Sequence, residues 1–357
     1  MTVHNLKDLY MDYLISSTQL VTCTGLSKVL DGSISHDKFT RLLSKGNFDS
    51  VSLWKQSKVM AQEISQSKST KVLSFDDSIM AKPHTKENAL NCWHYDHCSG
   101  KSIKGVQFLT ALFSTNQTNV PVMAELIKKD VLVTDSKTGK QKRASNIGKN
   151  ELFRNMISQC ASHLYIDYVL ADSWFSSSKN FTHIVSNNLN FIIALKSNRL
   201  VALSEEDKQQ GKWINIKSLI LEQVPKKVWL KGIDFPLSLI RQVFKNGDDI
   251  AYLYLISSDL SLSFEQITTI YKKRWSVEQY HKEVKQITSF GKSPTKTVKT
   301  QSNHFYLSIM AYSKVEILKI RTKTNAFALK DKIYYKALKL AMMQINQLST
   351  NQYQNVA

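Results

Sequence analysis

The residues best suited to chemistry lie in one stretch, from Tyr271-Lys272-Lys273-Arg274 through Glu278 to Lys285. At about 100° per residue, a helix with Tyr271 at zero carries Arg274 near −60°, Glu278 near −20° and Lys285 near −40°. The four side chains then share an arc of roughly 60°. Ile270, Val277 and Val284 form an apolar seam beside that arc, so the polar stripe flanks a buried face. One reading is a solvated ion-pair stripe, because Arg274 and Glu278 stand at i, i+4. Asp77 and Asp172 point to another. Each follows an apolar, strand-like run, Val72 to Phe75 and Tyr165 to Ala171. A carboxylate at such a sheet edge can project into a shared site. Two such acids, with a Glu on a half-buried helix, suit a metal centre acting on phosphodiesters. Hard oxygen ligands hold Mg²⁺ incompletely and leave positions for water and phosphate. Two ions about 3.5–4 Å apart activate the attacking oxygen and stabilise the leaving one. Arg and Lys beside the acids would hold DNA phosphates.

Charge supports that partner. The chain carries 48 Lys and Arg against 29 Asp and Glu, a formal charge of +19. Such an excess strains a compact monomer by self-repulsion and calls for a polyanion. From Ile287 onward, eleven Lys or Arg stand against Glu316 and Asp331. No apolar run approaches the ~18 residues of a membrane span, so no membrane partner is expected. The start of the chain has no apolar signal segment. Four cysteines without framework spacing fit a reducing cytoplasm. A hydrophobic content of 42% excludes a disordered chain. No P-loop is present, because Gly100-Lys101-Ser102 lacks its upstream glycine. Cys92-Trp93-His94-Tyr95-Asp96-His97-Cys98 crowds its potential ligands too closely for a tetrahedral zinc site.

The elements that must position these residues follow from periodicity. Residues 1–65 read as helices, with a turn at Asp31-Gly32-Ser33 and Ser35 as a cap. The outline is that of a helix-turn-helix. Residues 66–200 read as three strands, then helix, strand, helix, strand: a mixed α/β sheet. Residues 201–257 form a β-rich insertion with an Asn246-Gly247 hairpin. Residues 258–290 hold one long helix, opened by a capping box at Ser263 to Gln266. Residues 291–357 are a linker and a basic helical tail.

The spacing Y-x2-R-x3-E-x6-K, met by Tyr271, Arg274, Glu278 and Lys285, resembles the signature of bacterial DDE transposases of the insertion-sequence-4 type. The resemblance spans about residues 65 to 290. It implies an RNase H-like catalytic core, excision and insertion of a DNA element, and two Mg²⁺ ions, with Mn²⁺ as a substitute. It implies a homodimer holding two double-stranded DNA ends, working at the nucleoid. Carried over, Asp77, Asp172 and Glu278 are the catalytic acids and metal ligands, and Tyr271, Arg274 and Lys285 grip DNA phosphates. Asp76 competes for the first position; the family pattern of Asp followed by Ser or Thr favours Asp77. Family members also stack a flipped base on an aromatic of the insertion, for which Trp213 and Trp229 are candidates, while Trp275 packs. Two other readings share these residues: an RNase H-like nuclease without strand transfer, and an inert, transposase-derived repressor.

Overall fold

A computed structural model describes residues 3–354 except 97, 98, 117, 137 and 248. The chain begins with helices α1 (Val3–Ser16), α2 (Cys23–Val29), α3 (His36–Lys45) and α4 (Ser50–Ser65). Strands β1 (Val72–Ala81), β2 (Asn91–Asp96), β3 (Lys101–Ser114), β4 (Asn119–Leu126), β5 (Val131–Thr134) and β6 (Gln141–Ala144) follow. Then α5 (Lys149–Ala161), β7 (Tyr168–Ala171), α6 (Ser178–Ser186) and β8 (Asn190–Leu195) alternate. Next come β9 (Leu200–Ala202), α7 (Glu205–Gln209), β10 (Ile214–Asn215), β11 (Lys226–Leu230), β12 (Leu237–Asn246) and β13 (Asp249–Ser257). Helices α8 (Phe264–Lys272), α9 (Trp275–Ile287), α10 (Val298–Thr322) and α11 (Ala326–Gln354) end the chain.

Two compact units result: Ser50–His281, and Met1–Asp49 with Lys282–Ala357. The first is an RNase H-like α/β unit built on one large mixed sheet. Its strand order is β10-β9-β11-β12-β13-β8-β7-β1-β3-β2, with β4 on β3. β1, β7 and β8 run parallel, as the crossovers through α5 and α6 require. Strands β9 to β13 extend this sheet, since β13 pairs antiparallel with β8. Gly247 takes the left-handed φ of +61° at the β12–β13 hairpin.

Period-2 alternation sorts the sheet residues onto two faces. Leu73, Phe75, Leu109, Val169 and Ala171 pack with Ala61 of α4, Phe153 and Met156 of α5, and Phe181 of α6. Val72, Leu170, Ile192 and Leu255 pack with Ile267, Ile270 and Tyr271 of α8. The second face therefore carries the signature residues.

The structure alters two expectations. β1 does not end before the paired aspartates. It runs through them to Ala81, because the 14-residue β3 pairs with it from Val72↔Ser114 to Ala81↔Gly105. β7 pairs with it only from Val72 to Ser74, so the aspartates lie where one neighbour has stopped. The long helix is also broken in two. Between α8 and α9, the amides of Lys273, Arg274, Ser276 and Val277 each bond the carbonyl three residues back, the tighter 3₁₀ pattern. The Ser276 hydroxyl adds a bond to the Lys273 carbonyl, competing with the α-helical pattern. The two-stranded ribbon β5–β6 is a further element that periodicity does not announce.

In the helical unit, Ser35 caps α3 by accepting from the Asp37 amide, and Asp31 and Gly32 turn the chain at φ of 50° and 71°. Buried Asn303 of α10 donates to the carbonyls of Leu43 and Gly46, satisfying the end of α3. Among the described residues, no helix is long and apolar enough to cross a membrane.

Candidate active site

The break between α8 and α9 shapes the site. Residues three apart superpose in a 3₁₀ turn, and the Arg274 guanidinium lies 5.7 Å from the Tyr271 ring centroid. Arg274 Nη2 donates to Glu278 Oε1 at 2.6 Å. The Tyr271 hydroxyl donates to the Ala171 carbonyl at 3.3 Å, tying the turn to the end of β7. Burial pushes the Tyr271 phenol up to about 12, so it remains a neutral donor. Burial disfavours the Arg274 charge, yet Tyr271, Glu278 and Asp76 outweigh it and raise its pKa.

Asp172 directly follows β7. Its Oδ1 accepts from the Trp174 amide at 2.9 Å and caps a short 3₁₀ turn, Ser173–Phe175. Burial raises its pKa above the usual carboxylate range, and Asp76 raises it further. The Trp174 amide and Arg274 oppose that rise, and Asp77 adds to it.

The register separates the two aspartates of β1. Asp76 lies on the Val72 face, with Thr110 opposite it on β3. His281 of α9 stands 3.5 Å from Asp76 Oδ2 through Nδ1 and 3.3 Å from Thr110 Oγ1 through Nε2. Asp77 lies on the Leu73 and Phe75 face. There Gln107 Nε2 donates to its Oδ2, and Lys149 Nζ at the start of α5 donates to its Oδ1 at 2.8 Å. Asp76, Asp172, Tyr271, Arg274 and Glu278 thus form one neighbourhood, and Asp77, which also raises the Asp172 pKa, pairs with Lys149 from the opposite face of β1. Lys285 is half-buried on α9, two turns beyond Glu278 and within the helical unit.

The donors suit a hard divalent cation. Asp76 disfavours the ionisation of Asp172, a repulsion that a bound cation would relieve, and both side chains offer oxygen ligands. Among the described residues, no three acid, histidine or cysteine side chains enclose an ion by themselves. Glu278 is held by Arg274. The Cys92–His94 pair is buried on β2, with Sγ and Nε2 3.4 Å apart, while His97 and Cys98 lie outside the described residues. Trp229 is buried and Trp213 half-buried. Trp275 is 64% exposed rather than packed.

Sequence reasoning passed over Gln107, Thr110, Lys149, Trp174 and His281. His281 stands three residues after Glu278, one turn along the same helix, which is the signal that could have found it. Thr110, Gln107 and Lys149 carry no such signal, because only strand register and the approach of α5 bring them to the aspartates.

The raised Asp172 pKa has a consequence for stability. A carboxyl whose folded pKa exceeds its unfolded value costs stability once ionised, and the cost vanishes as pH falls through the folded pKa. Asp172→Asn keeps an oxygen for the Trp174 amide and removes the charge. The metal-free variant should be more stable than wild type by about 0.5–2 kcal/mol at neutral pH. The gain should shrink on acidification. Thermal melts at pH 7.5 and pH 4.5 measure both; an Asp172→Asn variant less stable at neutral pH contradicts the assignment.

No curated protein matches the chain. The family described as "Transposase DDE domain" matches residues 68–314, well over half of it and including the whole sheet face described above. With that face assembled from Asp76, Asp172 and the Arg274–Glu278 turn, the chain belongs to the transposase DDE-domain family.

Proposed function

We propose that this chain is a DNA transposase of the insertion-sequence-4 type, which cuts the ends of a DNA element and joins them to target DNA. The observation that carries the reading is the common face of Asp76, Asp172, Tyr271 and the Arg274–Glu278 pair. Asp76, Asp172 and Glu278 would hold two Mg²⁺ or Mn²⁺ ions, which when bound activate the attacking oxygen and stabilise the leaving one. In this reading Asp76 takes the first position, for which the sequence favours Asp77, because its side of the strand faces the signature turn.

The chain's own groups do the holding. Arg274 Nε is buried without an acceptor among the described residues, so the bond to Glu278 does not use all the donors of the guanidinium. The neutral Tyr271 hydroxyl secures the turn from which Arg274 projects. Lys285, about 10 Å along the axis from Glu278, would take a second phosphate of the same strand. Water attacks the phosphodiester at the element end, the P–O bond to the flanking DNA breaks, and a 3′-OH is freed. That hydroxyl then attacks the opposite strand or target DNA, exchanging one P–O bond for another. A homodimer would hold the two ends together. The DNA partner makes the nucleoid the place of work.

Two measurements bear on this. DNA affinity should fall steeply with salt, with a log–log slope of about −5 or steeper, as a +19 chain releases counterions. A flat dependence removes the charge argument for DNA. Incubation with an already cut, labelled end tests joining. Strand transfer into a plasmid supports a transposase, whereas cutting without joining points to a nuclease and binding alone to a repressor.

A further inference from the structure

Beside Asp172 lies a cluster the catalytic reading leaves unused. Trp174, in the turn that Asp172 caps, keeps 40% of its surface exposed. Lys149 Nζ lies 4.4 Å from its ring centroid and Lys196 Nζ, at the end of β8, lies 5.6 Å away. Lys149 is not loosely placed: its side chain is 16% exposed and its ammonium also donates to Asp77 at 2.8 Å. Gln107 donates to the other oxygen of Asp77, so the carboxylate is clamped from both sides. The turn is itself braced, with Arg199 Nη2 donating to the Ser176 carbonyl and to its hydroxyl. Gly148 gives α5 no side-chain cap, so the positive end of that helix opens where Lys149 begins.

A part-exposed aromatic ring with ammonium groups over it brings together the two features that seat an unpaired nucleotide. The ring stacks a base of any kind, and the ammonium groups meet the flanking phosphates. Duplex DNA offers phosphates but keeps its bases stacked within the helix. We propose that Trp174, Lys149 and Lys196 form a seat for the unpaired DNA strand next to the cutting site, and that Asp77 is the positioning residue that holds Lys149 in it. The seat belongs to the core, in the turn after β7, rather than to the inserted strands. It rests on the reading of the site around Asp172 as a DNA site.

The test compares two labelled DNAs of the same sequence, one blunt and one with a five-nucleotide 3′ overhang, by fluorescence anisotropy on the full chain in Ca²⁺ to prevent cutting. Trp174→Ala should weaken overhang binding about 10-fold, the cost of one lost stacking contact. Blunt-duplex binding should stay within about twofold. Trp174→Phe should recover most of the loss, because a ring remains and the turn keeps its packing. Lys196→Gln, at an exposed position, should flatten the salt dependence of overhang binding by about 0.7, the single-strand value for one phosphate. Asp77→Asn should weaken overhang binding in the same direction as Lys149→Gln, and the two together should cost no more than Lys149→Gln alone. Equal losses on both DNAs, or no loss on the overhang, overturn the seat while leaving the transposase reading in place. Wild-type protein that binds neither DNA overturns both.

Discussion

Glu278→Gln is expected to reduce DNA cleavage and strand transfer by about three orders of magnitude or more while DNA binding persists. The substitution keeps side-chain shape and one oxygen but removes the charge that would hold a cation. It also weakens the Arg274 pairing, from a charged contact at 2.6 Å to a neutral one. Arg274 remains charged and tied to its turn, so its grip on phosphate should survive. Lys285→Ala makes the opposite separation: a weaker complex with cut DNA and slower joining, with first-strand nicking retained. If the stripe were only a solvated ion pair, both variants would behave like wild type. Titration of each variant against a labelled end, with and without Mg²⁺, decides between these. A Glu278→Gln protein that still cuts would remove the signature turn from the mechanism.

The second large effect divides the neighbouring aspartates. Asp76→Asn should abolish cutting, whereas Asp77→Asn should leave measurable cutting and lower affinity for unpaired ends. Strand alternation is the physical basis, since adjacent residues of β1 point to opposite faces. One face carries Thr110, His281 and Arg274, and the other carries Gln107 and Lys149. The side chains are similarly buried, 21% exposed for Asp76 and 20% for Asp77, so exposure does not confound the comparison. Asp76→Asn keeps a group able to bond His281, which limits any folding defect. Single-turnover cleavage rates measure the pair. The reverse ranking would contradict the register argument, and equal rates would leave it without support.

Much of this arrangement was legible in the residues. The apolar run ending at Asp172, the capping box at Ser263 and the Asn246-Gly247 hairpin all rest on local patterns that tertiary packing did not override. So does the shared side of Arg274 and Glu278, which survives the helix break because a 3₁₀ turn also stacks nearby residues. The choice between Asp76 and Asp77 needs a face, and a face needs register. Before the length of β3 was known, β1 could equally have stopped at Phe75. The break at Lys273 and Arg274 was hidden because both residues are acceptable within a helix. Trp174 and Lys149 lie 25 residues apart and meet only when α5 docks on the sheet. The β5–β6 ribbon has strands of only four residues, and β6 is mostly polar, so periodicity passed it over.

The most direct measurement is cleavage by the unaltered chain of duplex DNA carrying the sequences on either side of its coding region, searched first for inverted repeats, with products mapped at nucleotide resolution and Mg²⁺ varied. Cuts are expected at the repeat ends that need Mg²⁺ or Mn²⁺, leave a 3′-OH and are lost in Asp76→Asn, Asp172→Asn and Glu278→Gln alike. Tight binding to those ends without cutting in either metal, or cutting that persists in all three variants, would contradict the transposase reading.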